Sequence, residues 1–126
     1  MRAVDTNVLV RILARDDPRQ VRVADEFVSA GAWVSLLALA ETIWVLTAVY
    51  ERDRSAVSAS VEQLLNHKDL IVQDREVVVA ALETFRSRPA PCFTDCLLLE
   101  IARKAGHLPL GTFDRHLSKI DGAVKL

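Results

Sequence analysis

Apolar residues along this chain alternate between short continuous runs and helical spacing. Arg2 to Val4 reads as a short strand ending at Asp5. Asn7 to Arg15 is helical, and Asp16-Asp17-Pro18 stops that helix and starts a second one reaching Ser29. Ala32 to Ser35 predicts a strand feeding an apolar helix from about Leu36 to Tyr50. Val57, Val61, Leu64 and Leu65 recur at helical spacing and predict a helix over Ser55 to Asn66. Leu70 to Gln73 is a strand, and Asp74 caps a helix through Arg86. Arg88-Pro89-Ala90-Pro91 is a loop. Thr94 or Asp95 opens a helix, Leu97 to Lys104, closed by Ala105-Gly106. Pro109 to Phe113 is a strand, Arg115 to Lys119 a turn or short helix, and Ala123 to Leu126 a last strand.

Strands alternating with helices predict an α/β fold, a three-layer sandwich with a central, mostly parallel sheet flanked by helices. With 126 residues and no repeat or low-complexity segment, residues 1–126 read as one domain. In such folds the ligand crevice lies beyond the carboxyl ends of the strands. Asp5 and Asp114 each follow a predicted strand, which puts them at that rim.

Composition narrows the class. A hydrophobic fraction of 51% excludes a disordered linker, and a net charge of −1 gives no global basic signature. Two cysteines, Cys92 and Cys96, make no disulfide framework, so a cytoplasmic setting is expected. The N-terminus lacks the apolar run of a signal peptide. Gly31 to Tyr50 carries Glu41 as its only charge. A bilayer-spanning reading would strand that carboxylate at mid-membrane with no basic flank, so a buried strand and buried helix are expected instead. Apolar content is high for so small a domain, which hints that some of it serves a partner.

Four acids stand out by context: Asp5 in Val4-Asp5-Thr6-Asn7, Glu41 in Leu39-Ala40-Glu41-Thr42-Ile43-Trp44, Asp95 in Phe93-Thr94-Asp95-Cys96-Leu97, and Asp114 after Gly111-Thr112-Phe113. Asp5 and Asp95 could simply cap helices, and Asp114 could begin a turn. Glu41 resists such a reading. No basic residue lies between Arg22 and Arg52, so no helical ion pair is available to it. Converging carboxylates repel, and a hard divalent cation relieves the repulsion. Mg²⁺ takes oxygen ligands, keeps several waters and uses one or two direct carboxylates plus substrate phosphate. Thr6, Asn7 and Thr112 are placed to hold carboxylates or waters around such a centre. The chemistry implied is phosphodiester hydrolysis by an activated water, with no Ser or Cys nucleophile.

These residues resemble the PIN-domain nucleases, most closely the VapC-type ribonuclease toxins of bacterial toxin–antitoxin modules. The matching elements are Val4-Asp5-Thr6-Asn7-Val8-Leu9, the Glu41 helix, Phe93-Thr94-Asp95 with its helix, and Thr112-Phe113-Asp114-Arg115. They follow the family's order over essentially the whole chain. The resemblance implies a Mg²⁺- or Mn²⁺-dependent endoribonuclease whose catalytic metal ligands are Asp5, Glu41, Asp95 and Asp114. It also implies a homodimer, a cognate VapB-type antitoxin that inserts a segment into the active-site groove, and transfer or ribosomal RNA as substrate. The different-class alternative is a catalytically silent PIN-like module that binds RNA or protein.

Other features add less. Asn7 stands where aspartyl-nucleophile phosphatases carry their second acid, and Asp16-Asp17 follow a helix, unlike the paired acids of phosphoreceiver domains. Cys92, Cys96, His67, His107 and His116 lack the spacing of a structural zinc site. Trp33 and Trp44 could stack bases, although their apolar neighbours favour core or interface. Residues 1–85 hold 9 basic and 13 acidic side chains, while residues 86–126 hold 7 and 4. Of the cations in that last third, Arg115 is the one expected to touch RNA.

Overall fold

Helix starts in this chain are set by short polar side chains that satisfy the exposed N–H groups of the first turn. In the computed structural model, which describes residues 1–126, Asp5, Asp17, Ser35 and Asp53 each accept a hydrogen bond from the backbone three residues on. They open α1 (Thr6–Ala14), α2 (Pro18–Val28), α3 (Leu36–Ala48) and α4 (Arg54–Asn66). Pro18 occupies the first turn of α2, where its missing N–H costs nothing. Arg15 ends α1 in the left-handed conformation.

The chain packs as two compact units, Met1–Arg75 and Glu76–Leu126. In the first, β1 (Arg2–Ala3), β2 (Ala32–Val34) and β3 (Leu70–Val72) form an all-parallel sheet in the order β1-β2-β3. Ala3 stands opposite Trp33, and Trp33 opposite Ile71. Alternation along the strands then sorts the side chains. Ala32, Val34, Leu70 and Val72 are buried, whereas Ala3, Trp33 and Ile71 form an accessible row. The buried row meets a core drawn from Leu9, Ile12, Val28, Leu39, Val61 and Leu64.

Helix α3 departs from the buried helix expected of its composition. Ala38, Leu39, Thr42, Ile43 and Leu46 face inward, but Leu37, Glu41 and Trp44 are exposed. Glu41 therefore bears no burial cost, and the residues hidden are those one position away. Thr42 is fully buried because its hydroxyl donates to the Ala38 carbonyl at 2.7 Å, which satisfies it within the helix. At 13 residues α3 is too short to cross a bilayer, and no helix is long and apolar enough to do so.

The second unit holds α5 (Arg75–Ser87, its first residue on the boundary), α6 (Phe93–Ala105), β4 (Leu110–Thr112), a 3₁₀ turn over Leu117–Lys119, and β5 (Ala123–Lys125). Phe85 and Phe93 meet edge to face, ring centres 5.8 Å apart. Gly106 closes α6 in the left-handed conformation, as the sequence predicts. Strands β4 and β5 are parallel, with Leu110 opposite Ala123 and Thr112 opposite Lys125. Leu99, Leu117 and Ile120 form a buried cluster against which Leu110 and Ala123 pack. All pairing is thus parallel, as expected, and its hydrogen bonds fall into a three-stranded and a two-stranded ladder.

Two expectations follow. Leu99 is 1% exposed, so Leu99→Ala should cost about 3 kcal/mol, read from the denaturant midpoint. In the first unit Asp16 accepts from Arg11 Nη1 at 2.8 Å and from the Tyr50 hydroxyl at 2.9 Å, joining the α1–α2 turn to the residue just past α3. Tyr50, then Arg11, hold the Asp16 carboxyl below the usual carboxylate range. Because the folded value is depressed, this support is present above the unfolded value and is lost as pH falls through the folded one. Asp16→Asn should lower the melting temperature at neutral pH, and the difference from wild type should close in acid.

Candidate functional site

In the first unit, Asp5 emerges where β1 gives way to α1. Its Oδ1 accepts from the Val8 N–H at 3.3 Å, so it does cap the helix. Capping engages one carboxylate oxygen and leaves the side chain exposed. Thr6, the next residue, donates from Oγ1 to Glu41 Oε2 at 2.8 Å. This contact ties the beginning of α1 to the middle of α3 across 35 positions of sequence. It brings the neighbour of one candidate acid into contact with the other. Asn7 bonds to neither acid. It lines an open groove of about 600 Å³ between α1 and α2 with Val8, Arg11, Val23 and Phe27.

In the second unit, α6 begins earlier than expected. Cys92 is its N-cap residue without a side-chain capping bond, and Phe93, 1% exposed and packed on Phe85, anchors the first turn. Asp95 therefore sits inside the first turn, half-buried, and is not the cap. Helix N-termini favour negative charge there, since the peptide dipoles present their positive end. The Thr94 hydroxyl is paired with Cys92 Sγ at 3.3 Å.

Asp114 forms the turn that its position after β4 suggests. Its Oδ1 accepts from the backbone N–H groups of His116 and Leu117, both at 2.8 Å. Those bonds, Leu117's first, with nearby His116 and Arg115, hold the carboxyl below the ordinary range, so it is ionised at neutral pH. Thr112 accepts from the Asp114 N–H at 3.0 Å and thereby fixes where that carboxylate stands. Arg115 is exposed and its side chain makes no ion pair or hydrogen bond.

None of the four acids is in an ion pair, whereas Asp16, Asp25, Glu76 and Glu100 all are. No three His, Cys, Asp or Glu side chains stand close enough together to hold a metal ion unaided. Cys92 is exposed and Cys96 buried, both as free thiols. What the first unit offers is a pair of uncompensated carboxylates, Asp5 and Glu41, linked through Thr6. That donor set suits a hard divalent cation, which takes one or two direct carboxylates and fills the rest of its sphere with water.

The partner of Thr6 was not legible in the sequence, because nothing local distinguishes a helix-opening threonine that faces a distant glutamate from one that faces water. The parallel pairing of β1 with β2 offers one signal. It sets α1 and α3 out from adjacent strand ends.

The PIN domain profile matches residues 2–123. No curated protein and no solved structure gives a match. PIN domains are generally nucleases, and they typically use divalent metals. With 2–123 matched, nearly its whole length, the chain belongs to the PIN domain family.

Proposed function

We propose that this protein is a divalent-metal-dependent endoribonuclease of the VapC toxin type, with Asp5, Glu41, Asp95 and Asp114 as its catalytic acids. The observation that carries the reading is the Thr6–Glu41 hydrogen bond at 2.8 Å. It fixes one oxygen of the exposed Glu41, which is in no ion pair, against the residue that follows Asp5. A protein that needed Glu41 only for solubility would leave it free in solvent.

The resemblance gives Asp5, Glu41, Asp95 and Asp114 as the residues that would hold Mg²⁺ or Mn²⁺, and within the first unit the donors are Asp5 and Glu41. The bound ion would supply an acidified water and charge neutralisation at the phosphate. The chain's own groups do the positioning. Thr6 occupies Glu41 Oε2 and leaves Oε1 for a ligand or water. Thr112 holds the Asp114 backbone in place, and the Leu117 and His116 amides favour the ionised carboxylate. Arg115, unpaired and next in sequence, suits the backbone phosphate of RNA. In the reaction a water oxygen bonds to phosphorus, the bond from phosphorus to one sugar oxygen breaks, and that oxygen takes up a proton.

Further parts of the reading rest on the resemblance alone: transfer or ribosomal RNA as substrate, a VapB-type antitoxin as inhibitor, a homodimer, and a cytoplasmic location. Asn7 bonds to neither acid, so its contribution to the centre would require a bound ligand.

Incubating the purified protein with total RNA tests the proposal. Cleavage is expected with Mg²⁺ or Mn²⁺ and should stop on chelation. Asp5→Asn and Asp95→Asn, each checked for an unchanged circular dichroism spectrum, should lose it. Thr6→Val should reduce the rate by about 10- to 100-fold, as for other residues that orient metal ligands. An identical RNA pattern from wild type and both Asn variants would overturn the catalytic assignment.

A further inference from the structure

Three parallel strands of the first unit lie side by side, and a polar residue follows each: Asp5 beyond β1, Ser35 after β2 and Gln73 after β3. Backbone bonds tie the two outer ones to the middle strand. Val4, next to Asp5, donates its N–H to the Trp33 carbonyl at 3.1 Å, and Gln73 donates its own to Val34 at 2.8 Å. The sheet is thus a common frame for Asp5 and Gln73. Glu41 stands outside that frame. It is carried by α3, so its place depends on how α3 is fastened to the sheet.

Ser35 supplies the local cap of α3 by accepting from the Ala38 N–H at 3.0 Å. A second fastening comes from 37 positions away: half-buried Gln73 accepts at Oε1 from the Leu36 N–H at 2.9 Å. Leu36 is the first residue of α3, and its N–H has no partner within the helix. Water could satisfy that group equally well. A side chain from the adjoining strand does more, because it fixes where the helix starts. Glu41 follows Leu36 by five positions, about 7.5 Å along a rigid helix, so a shift at Leu36 is passed on to it.

We propose that Gln73 is a positioning residue for the acidic site: through α3 it sets Glu41 against Thr6 and Asp5. The inference rests on the nuclease reading above and adds a residue that bonds to none of the four acids. Two ties then hold one glutamate. Thr6 grips its Oε2 directly at 2.8 Å, and Gln73 grips the helix that bears it. A hydrogen bond weakens steeply once its distance and angle leave a narrow range, so the Thr6 contact needs α3 at the right height.

Mn²⁺ alone is the probe, its binding to the metal-free protein followed by the paramagnetic resonance of the free ion. Gln73→Met keeps the length of the side chain but no acceptor, and should weaken Mn²⁺ binding about fivefold, less than the loss for residues bonded to a metal ligand itself. Leu36→Pro separates the tie from the cap. Proline suits the first helical position, and Ser35 already has the extended backbone, ψ 156°, that a following proline requires. This variant has no N–H to leave unpaired, so its melting temperature should match that of Leu36→Ala, yet its Mn²⁺ affinity should fall as in Gln73→Met. Leu36→Ala keeps the N–H and should bind Mn²⁺ as wild type does. In a Thr6→Val background, where Glu41 is already released, the loss from Gln73→Met should shrink.

A Gln73→Met protein that melts earlier but binds Mn²⁺ like wild type would make Gln73 a helix cap alone and overturn the proposal. Undiminished loss in the Thr6→Val background would also overturn it, by placing the effect elsewhere than at Glu41. In either case Mn²⁺ binding and RNA cleavage by wild type would leave the nuclease reading standing. A wild-type protein that takes up no Mn²⁺ would remove both.

Discussion

Parallel pairing of β1, β2 and β3 is the constraint from which the first unit follows. Parallel strands cannot be joined by a tight hairpin, so each must be followed by a helical crossover that carries the chain back. Adjacent strands consequently end at the same edge of the sheet, and the helices that follow them start there. Asp5 and Ser35 are the caps at that edge, and the next residues open α1 and α3. Gln73, just past β3, joins them by accepting from the Leu36 N–H at 2.9 Å. The Thr6–Glu41 contact is available only because this topology launches both helices from neighbouring strand ends.

Charge balance gives the acids their meaning. Acids and bases nearly cancel over the chain, 17 against 16, but the cancellation is not local. Asp16, Asp25, Glu76 and Glu100 each sit in an ion pair, and the four acids singled out by context do not. Setting those four aside leaves a mild basic excess. Asp114 illustrates how a carboxylate can stay ionised without a salt bridge. Two amide N–H groups stabilise the charge by hydrogen bonding, and the nearby His116 and Arg115 add to it.

Much of this was legible from periodicity and capping chemistry. Every helix and strand appears where the apolar spacing puts it, displaced at most by a few residues at the ends. Asp16-Asp17-Pro18 and Ala105-Gly106 act as the stop and start signals they resemble. What the sequence could not reveal is which way an almost uniformly apolar helix turns. In α3 the spacing permits several faces to be buried, and the packed side is chosen by neighbours far away in sequence. Glu41 reads as stranded among apolar residues for that reason, and of the core or interface expected for Trp44 its exposure removes only the core. The start of α6 was misread for a related cause. Phe93 anchors that helix by packing on Phe85, and such a contact leaves no trace among the polar residues that usually mark a cap.

Arg103 has a role that its place in a surface helix conceals. Its Nε pairs with Glu100 at 3.2 Å on the preceding turn, and its Nη2 reaches the carbonyl of Asp121 at 2.7 Å. A Cβ at Gly122 would come within 3.0 Å of the same guanidinium, so the turn before β5 is built to fit around it. The planar fork lets two different nitrogens of one side chain reach these partners along fixed directions. The last strand is therefore latched from outside by one side chain as well as seated inside on the Leu99 cluster. Fraying of the C-terminal end must break an electrostatic clasp before it uncovers any oil.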